Sequence, residues 1–461
     1  MSIMIKAGGK MASCYIPSRF NIVTESDDGR LVIYNSISHI LAVLDPKETA
    51  FYHTLLEKKQ EGLSASEVGI LDCFLVNNFI VPADIDEVKL LESVYQASRN
   101  SPESVILTIT PTLNCNFSCH YCYQGQNKES LVMTPETQDA LIKFIKQKAN
   151  PALGVKQVSI TWFGGEPLMG LPVIKNVSDK IIAWCDQKQL GYSAMLITNG
   201  FMLNAKTAGE LYVRRVKTVQ ITIDGDRDTH NQIRSLTKGN VSTFDRIVGN
   251  IVSYSQEYPI NTTIRVNIDR YNVDSAYRLL DQLSDAGLGN KNVSIYFAPV
   301  ESSTSACHAI SEDTLEVKAF SKVEYDLYLA AIKAGFSQAH LPPRFMGICG
   351  ATKPDSNVIT ANGDIHKCWE TVSFPQERIG RIGEIPVKAE IAKSEVWEKW
   401  SPFKIETCRN CSTLPNCAGF CPYKFLYKDQ YGGQGEHLPC PSLKFNIKDK
   451  ILNYAKVHRM L

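Results

Sequence analysis

The chain has 461 residues, too many for one ordinary core and enough for two or three domains of about 100–200 residues each. Its 49 basic and 48 acidic side chains leave a net charge of +1, which gives no electrostatic ground for nucleic acid or an anionic membrane as a partner. The first ten residues hold no apolar run of signal-peptide length and no later window approaches the roughly 18 apolar residues of a span, so a cytoplasmic protein is expected.

In chain order, the apolar runs Phe20-Asn-Ile-Val, Leu31-Val-Ile-Tyr and Ile40-Leu-Ala-Val-Leu, the first two divided by Ser26-Asp-Asp-Gly29, are predicted as strands. A helix follows over 48–59, another starts at Ser64 with Glu67 positioned for a capping box, and a connecting helix covers 84–100. Residues 1–100 thus read as a small strand-plus-helix unit. From 101 to 300, predicted strands at 105–110, 157–163, 193–198, 218–223, 262–268 and 293–298 alternate with helices at 135–149, 172–189, 203–214, 241–257 and 273–287. That alternation implies parallel βαβ units and an α/β fold, a partial (β/α)6 barrel whose functional groups lie at the carboxyl ends of its strands. A helical bridge occupies 301–345. Residues 346–461 are rich in cysteine, Gly, Pro and Asn, poor in periodicity, and close with a helix over 443–461.

Fourteen cysteines are many for a reducing compartment, where close spacing reads as metal binding or catalysis. Cys14, Cys73, Cys185 and Cys307 are scattered and read as buried small hydrophobes. Cys115-Asn-Phe-Ser-Cys119-His-Tyr121-Cys122 follows the first barrel strand and offers three thiolates in one loop, enough for three irons of a [4Fe–4S] cube with the fourth left open. A structural zinc site would want a fourth ligand, and His120 is adjacent to a cysteine already in use.

This loop resembles that of the radical S-adenosylmethionine (SAM) superfamily. The resemblance implies that Cys115, Cys119 and Cys122 hold the cluster, that its open iron chelates SAM, and that reductive cleavage yields a 5′-deoxyadenosyl radical. It further implies SAM contacts from Tyr121, from Gly164-Gly165-Glu166-Pro167 after the second strand, and from Thr198, Asn199 and Thr222 at the third and fourth strand ends. Arg234 is placed at the SAM carboxylate and Asn267 at the nucleoside. Read as residues alone, Asn199-Gly and Asp224-Gly are ordinary turns and Arg234 an ordinary surface ion pair.

The second group, Cys349, Cys368, Cys408-x2-Cys411-x5-Cys417-x3-Cys421 and Cys440, is similar to the seven-cysteine SPASM pattern. In relatives, two auxiliary [4Fe–4S] clusters interleave their ligands: the resemblance assigns Cys408, Cys411, Cys417 and Cys440 to one and Cys349, Cys368 and Cys421 to the other. Residues 350–362 lack the eighth cysteine of some relatives, so an auxiliary iron is either open or closed by another group. The subclass implies a maturase of ribosomally made precursor peptides, forming a thioether or, next, a carbon–carbon cross-link. Its leader would be recognised by a winged-helix-like domain at 1–100, and its electron would come from a flavodoxin or ferredoxin. Two alternatives stand beside this. A sulfatase-maturase-like enzyme making formylglycine would use an aspartate where this chain has Trp369, with Glu370 one position on. A non-catalytic iron–sulfur peptide-binding or electron-transfer protein would carry the cysteines without the radical.

Overall fold

The computed structural model describes residues 14–56, 63–125, 130–345, 348–428 and 439–461. The N-terminal stretch tested for a signal segment and the end of the predicted 48–59 helix fall mostly outside these residues.

The N-terminal unit contains strands β1 (Tyr15–Pro17), β2 (Asn21–Glu25), β3 (Leu31–Asn35), β4 (Ile40–Val43) and β5 (Ile80–Pro82), with helices α1 (Pro46–Leu56), α2 (Ala65–Val76) and α3 (Glu87–Arg99). β2, β3 and β4 form an antiparallel three-stranded sheet, and β1 pairs with β5. Ser64 and Glu67 complete the predicted capping box, satisfying backbone donors that the first turn of α2 leaves unpaired. Phe51, Tyr52, Leu55, Phe74 and Phe79 fill this unit's own core. Its outer faces pack on the C-terminal region. Val88, Leu91 and Tyr95 of α3 meet Phe403 and Leu414, and Ile22, Val32 and Tyr34 meet Leu443, Ile447 and Ile451 of the final helix, Leu443–Val457.

The six predicted barrel strands are present as β6 (Ser104–Ile109), β7 (Gln157–Trp162), β8 (Gly191–Thr198), β9 (Val216–Thr222), β10 (Asn261–Ile268) and β11 (Val293–Pro299). All pair in parallel and in sequence order. Between them run α4 (Pro135–Lys148), α5 (Leu171–Gln187), α6 (Ala205–Tyr212), α7 (Arg227–Ile233), α8 (Thr243–Glu257) and α9 (Val273–Asp285). Successive strand residues point to opposite faces. Leu107, Ile160, Leu196, Ile221, Ile264 and Val266 join the apolar side chains of the helices in one large core. The opposite face is polar: Ser159 bonds Ser193, Thr263 bonds Ser294, and Gln220, Arg265 and Asn267 lie there too. α7 was not predicted. It is short and is set by Asp226, whose carboxylate caps the Thr229 N–H.

After the bridge helix α10 (Val317–Lys333), the C-terminal region adds β12 (Ser356–Ile359), β13 (Asp364–His366), β14 (Gly380–Arg381) and α11 (Lys388–Lys399). β12 lies parallel to β6, so this region extends the barrel sheet at its first strand. The expectation that all four scattered cysteines are buried is corrected: Cys185 and Cys307 are, whereas Cys14 is half-buried and Cys73, on the outer face of α2, is exposed. No helix among the described residues is long and apolar enough to cross a membrane.

Candidate active site

The first cysteine loop leaves the carboxyl end of β6, where the strand's ordered backbone gives way and side chains turn across the mouth of the barrel. Its entry is fixed by close backbone contact with the Gly-Gly-Glu-Pro segment beyond β7. The Gly165 N–H donates to Thr112 O at 3.2 Å and the Glu166 N–H to Asn114 O at 2.8 Å. A Cβ on Gly164 would stand 2.3 Å from Thr112 O, and one on Gly165 2.2 Å from Leu113 O, so only glycine allows the approach. Glu166 is fully buried, with its carboxylate accepting from Leu168 N, Thr198 Oγ1 and Asn199 N at 2.8–2.9 Å. Burial raises its pKa, and these donors work to lower it. Glu166 therefore ties the third strand end, with Thr198 and Asn199, to the loop, and Pro167 opens the short turn that follows.

Cys115, Cys119 and Cys122 are half-buried. Phe117 N–H points at Cys115 Sγ from 3.4 Å, and Asn199 Nδ2 lies 4.0 Å from the same sulfur. Burial pushes the Cys119 thiol up to about 11, against the nearby cation of Arg234. Three sulfurs on one loop, one of them met by N–H donors, are a suitable donor set for an iron–sulfur cluster. Among the described residues no three His, Cys, Asp or Glu side chains converge as ligands of a single ion.

Beside this loop, Tyr121, Arg234, Asn267 and Asp224 are brought together. The Tyr121 hydroxyl donates to Asp224 and accepts from Arg234 and, at 3.2 Å, from Asn267 Nδ2. Asp224 also accepts the Asn267 N–H at 2.8 Å and forms an ion pair with Arg234 at 3.5 Å. Burial opposes the charge on Arg234, but Cys119, Tyr121 and Asp224 outweigh it and hold the group well above its usual pKa. Its Nε is a buried donor without a partner among the described residues, which suits a carboxylate ligand such as that of SAM. Thr222 sits half-buried at the end of β9. Asp224 and Arg265 are the members sequence reasoning missed. The Asp-Gly pair hid the first, although its place at a strand end was a signal.

The second cysteine group divides in space. Cys368 lies in electrostatic reach of Cys349 and Cys421, all three packed about Ala351, Trp397 and Tyr423. Cys417 and Cys408 each sense Cys411 and Cys440, as does Lys444, whose ammonium reaches Cys440 Sγ at 3.5 Å. Burial raises the thiols of Cys349, Cys368, Cys408, Cys417 and Cys421. The first trio faces the barrel mouth. Trp369 stacks obliquely on Phe163 at 5.6 Å, and half-buried Tyr123 lies in electrostatic reach of both Cys122 and Cys368. Glu370 accepts from Ser303 Oγ at 2.8 Å, and burial and Glu301 push it up to about 7.

Residues 109–302 match the Radical SAM superfamily. This segment is a radical SAM domain. Such domains carry a [4Fe–4S] cluster and SAM, and the superfamily consists of enzymes. The chain is 26% identical over 329 residues to the radical SAM cyclopropyl synthase TigE of Paramaledivibacter caminithermalis, a match covering 59% of this chain and 68% of that one. It is 28% identical over 159 residues to an uncharacterized protein of Methanocaldococcus jannaschii, covering 34% of this chain and about half, 51%, of the relative. The solved structure of native anSMEcpe with bound AdoMet and Kp18Cys peptide superposes with a TM-score of 0.56 at 18% identity, over 77% of this chain and 98% of that chain, a likeness of fold.

Proposed function

We propose that the chain is a radical SAM peptide maturase that installs a cross-link, a thioether first and a carbon–carbon bond next, in a ribosomally made precursor. The observation that carries this reading is the contact of the radical SAM loop with the region that bears the second thiol set, where Ser373 Oγ donates to Gln124 O at 3.4 Å. The radical SAM loop approaches the Cys349, Cys368 and Cys421 trio through Tyr123, and Phe163 bears on Trp369. When bound, SAM and the reduced first cluster supply a carbon-centred radical that removes a hydrogen atom, and two auxiliary clusters supply an acceptor for the surplus electron. Cys115, Cys119 and Cys122 would hold the first cluster. Gly164 and Gly165 let the backbone close on the entry of the cysteine loop, Arg234 would meet the carboxylate of SAM, and Glu166 ties the third strand end to that segment. The trio would leave one auxiliary iron for a substrate thiolate.

The anSMEcpe structure, which holds a peptide beside AdoMet, supports a peptide substrate, and TigE is a radical SAM cyclopropyl synthase. In the N-terminal unit, β2 and β4 are the sheet edges beside which an extended leader would add a strand. The electron would come from a flavodoxin or ferredoxin, and the protein would work in the cytoplasm.

Anaerobically reconstituted protein with SAM and dithionite is expected to release 5′-deoxyadenosine and, given a cysteine-containing precursor encoded beside its gene, a peptide lighter by two hydrogens per cross-link. A binding protein alone would release none. One observation favours a second reading: half-buried Glu370, held by Ser303, lies one residue from the position of the sulfatase-maturase base. Formylglycine in a sulfatase-derived Cys peptide, without cross-linking of the precursor, would select that alternative.

A further inference from the structure

Inside the barrel, the alternation of β10 turns Arg265 away from the apolar helix layer, where Ile264 and Val266 lie, and toward the polar interior. The guanidinium is fixed on two sides. Its Nε donates to Asn267 Oδ1 at 2.7 Å and its Nη1 to the Tyr296 hydroxyl at 3.4 Å, and the charge lies 5.8 Å from the Tyr296 ring centre. Tyr296 is itself held by Gln220 Oε1 at 3.1 Å. Among the described residues Arg265 has no carboxylate in an ion pair. Two carboxylates lie in its electrostatic reach, and both are engaged elsewhere: Glu301 pairs with Lys424, and Glu370 accepts from Ser303. Arg234, by contrast, has Asp224. A half-buried guanidinium inside the barrel is costly without a counter-charge, and its planar fork is shaped for a carboxylate.

We infer that Arg265 is the receptor for a carboxylate of the substrate, which anchors it between the SAM-side network of Tyr121 and Asn267 and the Cys349, Cys368 and Cys421 trio. The carboxylate comes from an acidic side chain or from a peptide C-terminus. This rests on the peptide-substrate reading above and narrows it. Arg265 is a specificity residue here, with Asn267 and Tyr296 positioning it.

The test is binding by the reconstituted, SAM-loaded enzyme without reductant, using three alanine-based pentapeptides: one with central Asp and blocked ends, its Asn counterpart, and the Asn peptide with a free C-terminus. One of the two carboxylate peptides is expected to bind about tenfold more tightly than the blocked Asn peptide, and which one identifies the source. Arg265→Gln should abolish that preference, and Arg265→Lys should keep part of it. Equal affinity of the wild-type enzyme for all three overturns the inference whether or not a variant folds. So does a preference that survives Arg265→Gln while SAM binding is lost, which would give the guanidinium to SAM. Binding of none, with 5′-deoxyadenosine still formed under dithionite, refutes the peptide reading and the inference with it. Equal binding of all three, with 5′-deoxyadenosine formed, refutes the inference alone.

Discussion

The two cysteine groups are supported in opposite ways. The first rides on a barrel whose six strands and covering helices share one large apolar core, so its scaffold is complete without metal. The second sits among short helices such as Glu406–Arg409 and Leu414–Cys417, with only small apolar clusters beneath them. One group decorates a fold and the other is part of what makes one. Under the proposed function, metal binding there would contribute to folding itself.

The sharpest way to break this comparison is to remove one cysteine from each group. Cys115→Ala should reduce 5′-deoxyadenosine formation to background while far-UV circular dichroism stays unchanged. Cys408→Ala should retain some SAM cleavage yet lose cross-linked product and cooperativity of unfolding, and full cross-linking by this variant would end the auxiliary-cluster reading. Next in size, stripping iron with a chelator should cost amide protection over 405–425 while β7 to β9 keep theirs in hydrogen exchange. Gly165→Ala places a Cβ 2.2 Å from Leu113 O and 2.3 Å from Asn114 O, backbone atoms that cannot swing aside. Iron at the first site should fall, and SAM affinity should drop by at least about tenfold, or ~1.4 kcal/mol. Glu166→Gln turns an amide donor toward at least one of three donors, at a cost of about 1–3 kcal/mol in urea unfolding, with the barrel still assembled.

The smallest effect is at Asp226. Burial works to raise this carboxyl, and Arg278, Thr229 and Ser275 outweigh it, taking it down to about 2. A depressed carboxyl stabilises above its unfolded value of 3.8 and loses that contribution as pH falls toward 2. The stability gap between wild type and Asp226→Ala, about 1 kcal/mol at neutral pH, should close over that window.

Much of this was legible in the sequence where the physics is local. Strict alternation in Val158, Ile160 and Trp162, and the helical spacing of Phe244, Ile247 and Ile251, placed the barrel elements within a few residues. The cysteine loop meets the Gly-Gly-Glu-Pro segment through backbone hydrogen bonds, and Arg234 and Asn267 meet Tyr121 of the same loop. What stayed hidden depends on distant partners. β12 is four residues whose pairing with β6 nothing nearby announces, and its region looked structureless for that reason. Arg265 reads as a polar residue in a strand until the barrel closes around it. Asp224 reads as half of a turn until Tyr121 and Arg234 arrive from other segments.

The parallel pairing of Ile106 with Ser356 has a consequence for biosynthesis. A ribosome releasing this chain delivers the first barrel strand early and its outer neighbour only in the last quarter, so one flank of the nascent sheet stays unsatisfied throughout translation of the barrel. Such a flank invites pairing with other chains. A holdase or slow synthesis would protect that flank until the late strand arrives.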